Sequence, residues 1–170
     1  MGRRVAIGVV AAWLAAGTAA AAPYVPPRDG PVTDAAHVLS TAHRASLVKL
    51  LADYQQETHH EIAVLIVPDL HDEPIGALSL RVANAWRVGL PGWNDGVLVT
   101  FAVREGICRI EIATEMARYV SNDAVRSIVE NTMKPEFGQH RITRGLRMGL
   151  LRLMELGRGF RIADPAHPPG

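Results

Sequence analysis

Five oxygen-bearing side chains stand where regular elements of the chain should begin or end: Asp34, Asn94, Asp95, Glu115 and Asp123. Carboxylates and amides arriving from separate loops are what a hard cation such as Ca²⁺ or Mg²⁺ requires. A cation held this way can polarise a phosphoryl oxygen. Asp95 lies directly before the apolar run "GVLVTFAV", and Glu115 lies just past the next strand-like run, "ICRIEIA". A hairpin between these runs puts the start of one beside the end of the other, so Asp95 and Glu115 should share an edge. Asp123, eight residues past Glu115, can return to that edge. Each residue also has a purely structural reading. Asn94-Asp95 suits an Asx-turn, and Asp123 suits the first turn of a helix, where the dipole favours an acid.

Other chemistry is poorly represented. The chain has no G-x-S-x-G elbow, no phosphate-binding G-x-x-x-x-G-K-[ST] loop and no H-E-x-x-H. No catalytic residue can be named from the sequence, and no organic cofactor is implied. His59-His60-Glu61 is read as a solvated helix end, because adjacent side chains diverge and chelate poorly. His71-Asp72-Glu73 is read as the N-terminal cap of a following helix. The single cysteine, Cys108, sits in an alternating strand pattern and is expected to be a small buried hydrophobe.

The elements that must position these residues follow from periodicity. "VTD" at 32–34 is a short strand or a turn. Ser40 caps a first helix reaching Thr58, with apolar positions near a 3.6-residue period. Ile62–Val67 is a continuous β-branched run, as in a strand covered on both faces. Glu73–Val88 reads as a second helix, broken at Gly89-Leu90-Pro91-Gly92. Gly96–Val103 is a second apolar strand, Arg104-Glu105-Gly106 a tight turn, and Ile107–Ala113 a third strand. The two faces of that third strand differ, which places it near an edge. Ser121 or Asn122 caps a third helix that Lys134-Pro135 should end. A last helix spans about His140 to Leu156, its apolar stripe including Leu146, Gly149, Leu150, Leu153 and Leu156. One helical and one hairpin connection between strands predict an α/β fold: a three-layer α/β/α sandwich with a small mixed β-sheet flanked by helices.

Residues 1–22 carry Arg3-Arg4, an apolar run from Val5 to Ala16, and a small-residue stretch ending at Ala22. That pattern is a secretory signal peptide, with cleavage after Ala20, Ala21 or Ala22. Residues 23–31 then form an extended Pro/Gly leader, 32–160 one domain, and 161–170 a disordered tail. The expected location is exported, periplasmic or extracellular. Losing the signal removes two arginines and no acid, leaving 16 basic against 17 acidic side chains. Such a balance argues against nucleic acid as a partner. No segment of the mature chain is long and apolar enough to span a membrane. The arginines of the last helix suggest anionic lipid headgroups, but one core face with a solvated basic face describes that helix better.

Several stretches, taken in order, resemble the TPM domain family of bacterial envelope proteins and thylakoid lumen acid-phosphatase-like proteins. Val32-Thr33-Asp34 with Leu39-Ser40 is similar to the family's opening V-x-D…L-S. Trp86-Arg87-Val88-Gly89 resembles its W-x-[IV]-G turn, and Asn94-Asp95-Gly96-Val97-Leu98 its D-N-G-V-L with Asp and Asn exchanged. Arg109-Ile110-Glu111-Ile112 resembles its R-I-E-V strand. The resemblance implies an α/β/α sandwich, an acidic cleft that binds Ca²⁺, and acid phosphatase activity. Where the family continues with G-x-G-x-E, this chain has Ala113-Thr114-Glu115-Met116-Ala117. The expectation is therefore an envelope accessory or interaction module whose acidic site is degenerate, with an envelope or membrane protein as its partner. The alternative is a Ca/Mg-dependent acid phosphatase-like hydrolase of phosphomonoesters.

Overall fold

A computed structural model describes residues 24–159. Residues 1–23 and 160–170, which include the signal segment and the tail 161–170, lie outside the described residues. The element order is β1 (Val32–Asp34), α1 (Thr41–Thr58), β2 (Ile62–Val67), α2 (Ile75–Trp86), β3 (Val97–Ala102), β4 (Ile107–Ile112), α3 (Asn122–Ser127), a π-helical stretch (Ile128–Met133), α4 (Lys134–Phe137) and α5 (Ile142–Gly157). A short 3₁₀ turn, Met116–Arg118, precedes α3.

The four strands form one sheet in the order β1-β2-β3-β4. β1, β2 and β3 are parallel, and β4 returns antiparallel to β3. Alternation along the strands makes two cores. Val64, Ile66, Val99, Phe101 and Ile110 face α1 and the C-terminal helices. Ala63, Leu65, Val67, Leu98 and Ala102 face Leu78 and Val82 of α2. The sandwich therefore has three layers, with the mixed sheet in the middle. β4 is the edge strand expected from its unequal faces: Ile110 is buried and Arg109 exposed.

The crossovers show an unusual feature. β1-α1-β2 and β2-α2-β3 step the same way across the sheet, yet α1 and α2 lie on opposite faces. The two connections are thus of opposite hand, and one is the left-handed kind that βαβ units almost never adopt.

The end of the third helix differs from expectation. Lys134-Pro135 does not stop it; the helix continues through Phe137. Proline has no N–H to give and its ring crowds the preceding turn. Here the wider π-helical turn of Ile128–Met133 immediately precedes it, and a wider turn relieves that crowding. The second helix is shorter than Glu73–Val88, because Pro74 stands at its N-cap and Arg87 takes a left-handed conformation at its C-cap. Glu73 pairs with Arg81 rather than capping the helix. The last helix begins at Ile142, after His140 with φ 57°, and Leu156 is exposed rather than core.

Residues 24–31 carry no regular element, but they are tied down along α2. Trp86 Nε1–H donates to Pro26 O at 2.9 Å, and Arg28 pairs with Glu61. Among the described residues, no helix is long and apolar enough to cross a membrane.

Candidate functional site

The loop from α2 to β3 is built on two glycines pressed together. Gly89 has φ 113°, a region that L side chains rarely adopt. A Cβ on Gly96 would lie 2.0 Å from Val88 O, and one on Gly89 would lie 2.6 Å from Gly96 N. Neither position has room for a side chain. This contact folds residues 88–96 back over the start of β3, and Asp95 is turned inward.

Asp95 is 0% exposed. Its Oδ1 accepts the Leu90 N–H at 2.8 Å, and its Oδ2 lies 2.9 Å from His60 Nδ1, itself fully buried. Beside it, Glu61 Oε2 accepts the Gly89 N–H at 2.7 Å while its other oxygen pairs with Arg28. Two adjacent acids thus hold consecutive N–H groups of one loop. A carboxylate with its oxygens spent this way orders backbone, and removing it would take an acceptor from the loop and a partner from buried His60.

The other candidates are distributed as follows. Asn94 is exposed with φ 48°, and its carbonyl accepts the Glu115 N–H at 3.0 Å. Val97 stands opposite Ile112, so the start of β3 does lie beside the end of β4. Glu115 itself pairs with Arg118 at 3.0 Å. Asp123 is exposed in the first turn of α3, which Ser121 caps. Asp34 is at the other end of the sheet: it is paired with Ile66, which is paired with Phe101. Its oxygens accept the N–H groups of Leu39 at 2.8 Å and Val38 at 3.3 Å. The hairpin therefore joins Asn94, Asp95 and Glu115 at one edge, and parallel pairing sends Asp34 to the opposite one.

This donor set does not fit a calcium or magnesium ion. Ca²⁺ takes six to eight oxygens, but Asp95 is enclosed, Glu115 is ion-paired and Asp34 is remote. Among the described residues, no three His, Cys, Asp or Glu side chains converge as a metal site. None of residues 113–117 has positive φ, so the loop follows a path that needs no glycine.

Above the buried pair lies a cavity of about 510 Å³ between the end of α2 and the β3–β4 hairpin. Asn84, Arg87, Leu90, Asn94, Leu98 and Glu111 are among its walls. The Arg87 guanidinium is exposed and makes no ion pair with a described residue. Deeper in the core, Tyr54 is 2% exposed, and desolvation raises its phenol above the ordinary value. Burial also pushes the half-buried Cys108 thiol up to about 12, so it behaves as a hydrophobe and not as a nucleophile.

Sequence reasoning missed His60 and Glu61. The solvated-helix-end reading fits His59, the exposed left-handed C-cap of α1, but not its two neighbours. The missing signal is strand register. Ile62 pairs with Val97, and stepping back two residues on both parallel strands brings His60 to Asp95.

The family model described as "TPM domain" matches residues 32–156. A comparison with curated proteins finds no match. Among solved structures, the N-terminal domain of a P. gingivalis protein is 26% identical, covering 75% of this chain and 82% of that one, with a TM-score of 0.70. The BA42 protein of the psychrophilic bacterium Bizionia argentinensis is 17% identical, covering 78% and 95%, with a TM-score of 0.63. The N-terminal domain of a Corynebacterium glutamicum protein is 15% identical, covering 87% and 93%, with a TM-score of 0.56. The last two are likenesses of fold alone. With the family model spanning every strand and helix of the sandwich, the chain belongs to the TPM domain family.

Proposed function

We propose that this chain is an exported TPM domain that serves the cell envelope as an accessory module, holding another envelope protein instead of hydrolysing phosphomonoesters. The supporting observation is the state of Asp95. The acid on which a metal-dependent reading would rest is enclosed and committed to Leu90 and His60. Asn94 and Glu115 remain near the surface as the residue of an acidic site, without enough oxygens to complete one. Export rests on the basic, apolar and small-residue succession of residues 1–22.

A thermal-shift titration with Ca²⁺ and Mg²⁺ tests this reading, using Glu115→Gln as the control because Asp95 variants are expected to lose stability for reasons unrelated to metal. The expected result is no rise in Tm at millimolar metal and no phosphate release from p-nitrophenyl phosphate. A metal-dependent rise that Glu115→Gln removes, or metal-dependent phosphate release, overturns the reading in favour of a Ca/Mg-dependent phosphatase-like hydrolase. Fractionation checks export: the processed chain should appear outside the cytoplasm.

A further inference from the structure

The two edges of the sheet are unequal. β1 is only three residues long, whereas β4 has six and is paired on one side only. The Ala113 N–H donates to Gly96 O, and antiparallel ladders alternate. The backbone groups of Arg109 and Glu111 therefore face β3, and those of Cys108, Ile110 and Ile112 face away. Long edges are normally blunted by proline, a bulge, an unbalanced charge or a covering helix. The π-helical stretch packs near β4 and Ile110 is buried, while Cys108 and Ile112 on either side are half-buried. β4 has no proline and runs in continuous register with β3, and its one arginine pairs with Glu111 at 2.8 Å.

A groove of about 380 Å³ runs beside this edge. Cys108, Arg109 and Ile110 form its strand wall; Val125, Arg126 and Val129, on one face of α3 and its π continuation, stand in its helix wall. The charges in the groove do not balance. Glu130 is taken by Lys134 at 2.8 Å, while the exposed Arg126 has no ion pair among the described residues. Strand edge, apolar helix face and unspent guanidinium together describe a seat for an extended peptide.

We infer that a partner protein docks here as an added strand, its backbone pairing with β4, an apolar side chain packing on Val125 and Val129, and a carboxylate meeting Arg126. The inference rests on the accessory reading above and names the surface through which the module holds its partner. Backbone hydrogen bonds supply the affinity, and the Arg126 contact favours acidic segments.

The probe is the peptide Ac-DVTVTVD-NH₂, titrated into ¹⁵N-labelled protein, beside the same peptide N-methylated at alternate residues. Methylation removes the backbone donors and leaves the side chains in place. The expected result is movement of the Cys108, Ile110 and Ile112 amide resonances, with hydrogen exchange at these amides slowed at least tenfold. The N-methylated peptide should produce neither change. Arg126→Glu, an exposed substitution whose unchanged Tm verifies the fold, should weaken binding at least tenfold. No response at millimolar peptide, or an equal response to the methylated peptide, overturns the inference. Concentration-dependent shifts at the same amides without peptide would give the edge to a second copy of this chain and overturn it likewise. The same sample is assayed for metal-dependent phosphate release. Release would sink the accessory reading, while the peptide result decides the groove by itself.

Discussion

Asp34 and Asp95 perform the same local task at opposite ends of the sheet. Each stands next to a strand end, and each accepts backbone N–H groups of the loop beside it. They differ in surroundings. Asp34 is partly exposed, so water can replace its partners. Asp95 is enclosed with His60, so nothing can. Burial, more than the number of bonds, decides what each residue is worth.

Mutation can break that comparison. Asp95→Ala should cost about 3–5 kcal/mol, since it removes at once the carboxylate partner of buried His60 and the acceptor of the Leu90 N–H. Denaturant unfolding measures this, and a cost below about 1 kcal/mol would mean that water reaches the pair. Gly96→Ala should follow at about 3 kcal/mol, because its methyl meets Val88 O and the loop over Asp95 must open. Loss of the Asp95 bonds would then appear as faster hydrogen exchange at Leu90. Asp34→Ala should cost only about 1 kcal/mol, the ordinary net value of hydrogen bonds that water can replace. An equal cost for the two aspartates would refute the role given to burial.

The smallest expected effect is a pH dependence at two ion pairs, Glu73–Arg81 and Glu136–Arg141. Hydrogen bonds from Arg81 and Arg141 hold Glu73 and Glu136 below the usual carboxylate range. A depressed folded-state pKa adds stability above the unfolded value and loses it as pH falls through the folded one. Glu73→Gln and Glu136→Gln should therefore lower stability at neutral pH and flatten its decline below about pH 4.5. Stability curves that remain parallel to wild type would remove these pairs from the account.

How much of this was legible in the sequence differs between the same two ends. The β-branched run 62–67, the apolar run 97–102 and the Arg104–Gly106 turn announced three strands and a mixed sheet. The hairpin also allowed Asp95 and Glu115 to be placed at one edge, because a tight turn fixes antiparallel register locally. Parallel register is not local. The approach of His60 to Asp95 depends on how β2 slides along β3, which no turn specifies. The continuation past Pro135 was hidden for a similar reason. A π turn is a backbone adjustment without a side-chain signature, and proline alone read as a stop.

The opposite-handed crossovers bear on how such a domain can acquire new uses. In open α/β sheets, ligand crevices form at the carboxyl ends of strands whose connections leave to different faces. In this chain that point lies between β1 and β2, where a cavity of about 290 Å³ opens among Ala35, Pro68 and Leu70. Asn94, Asp95 and Glu115 lie at the other end of the sheet, beside the start of β3. The scaffold thus keeps the pocket its topology creates and the Asp95 loop at opposite ends of the sheet, so a substitution at one end need not disturb the other.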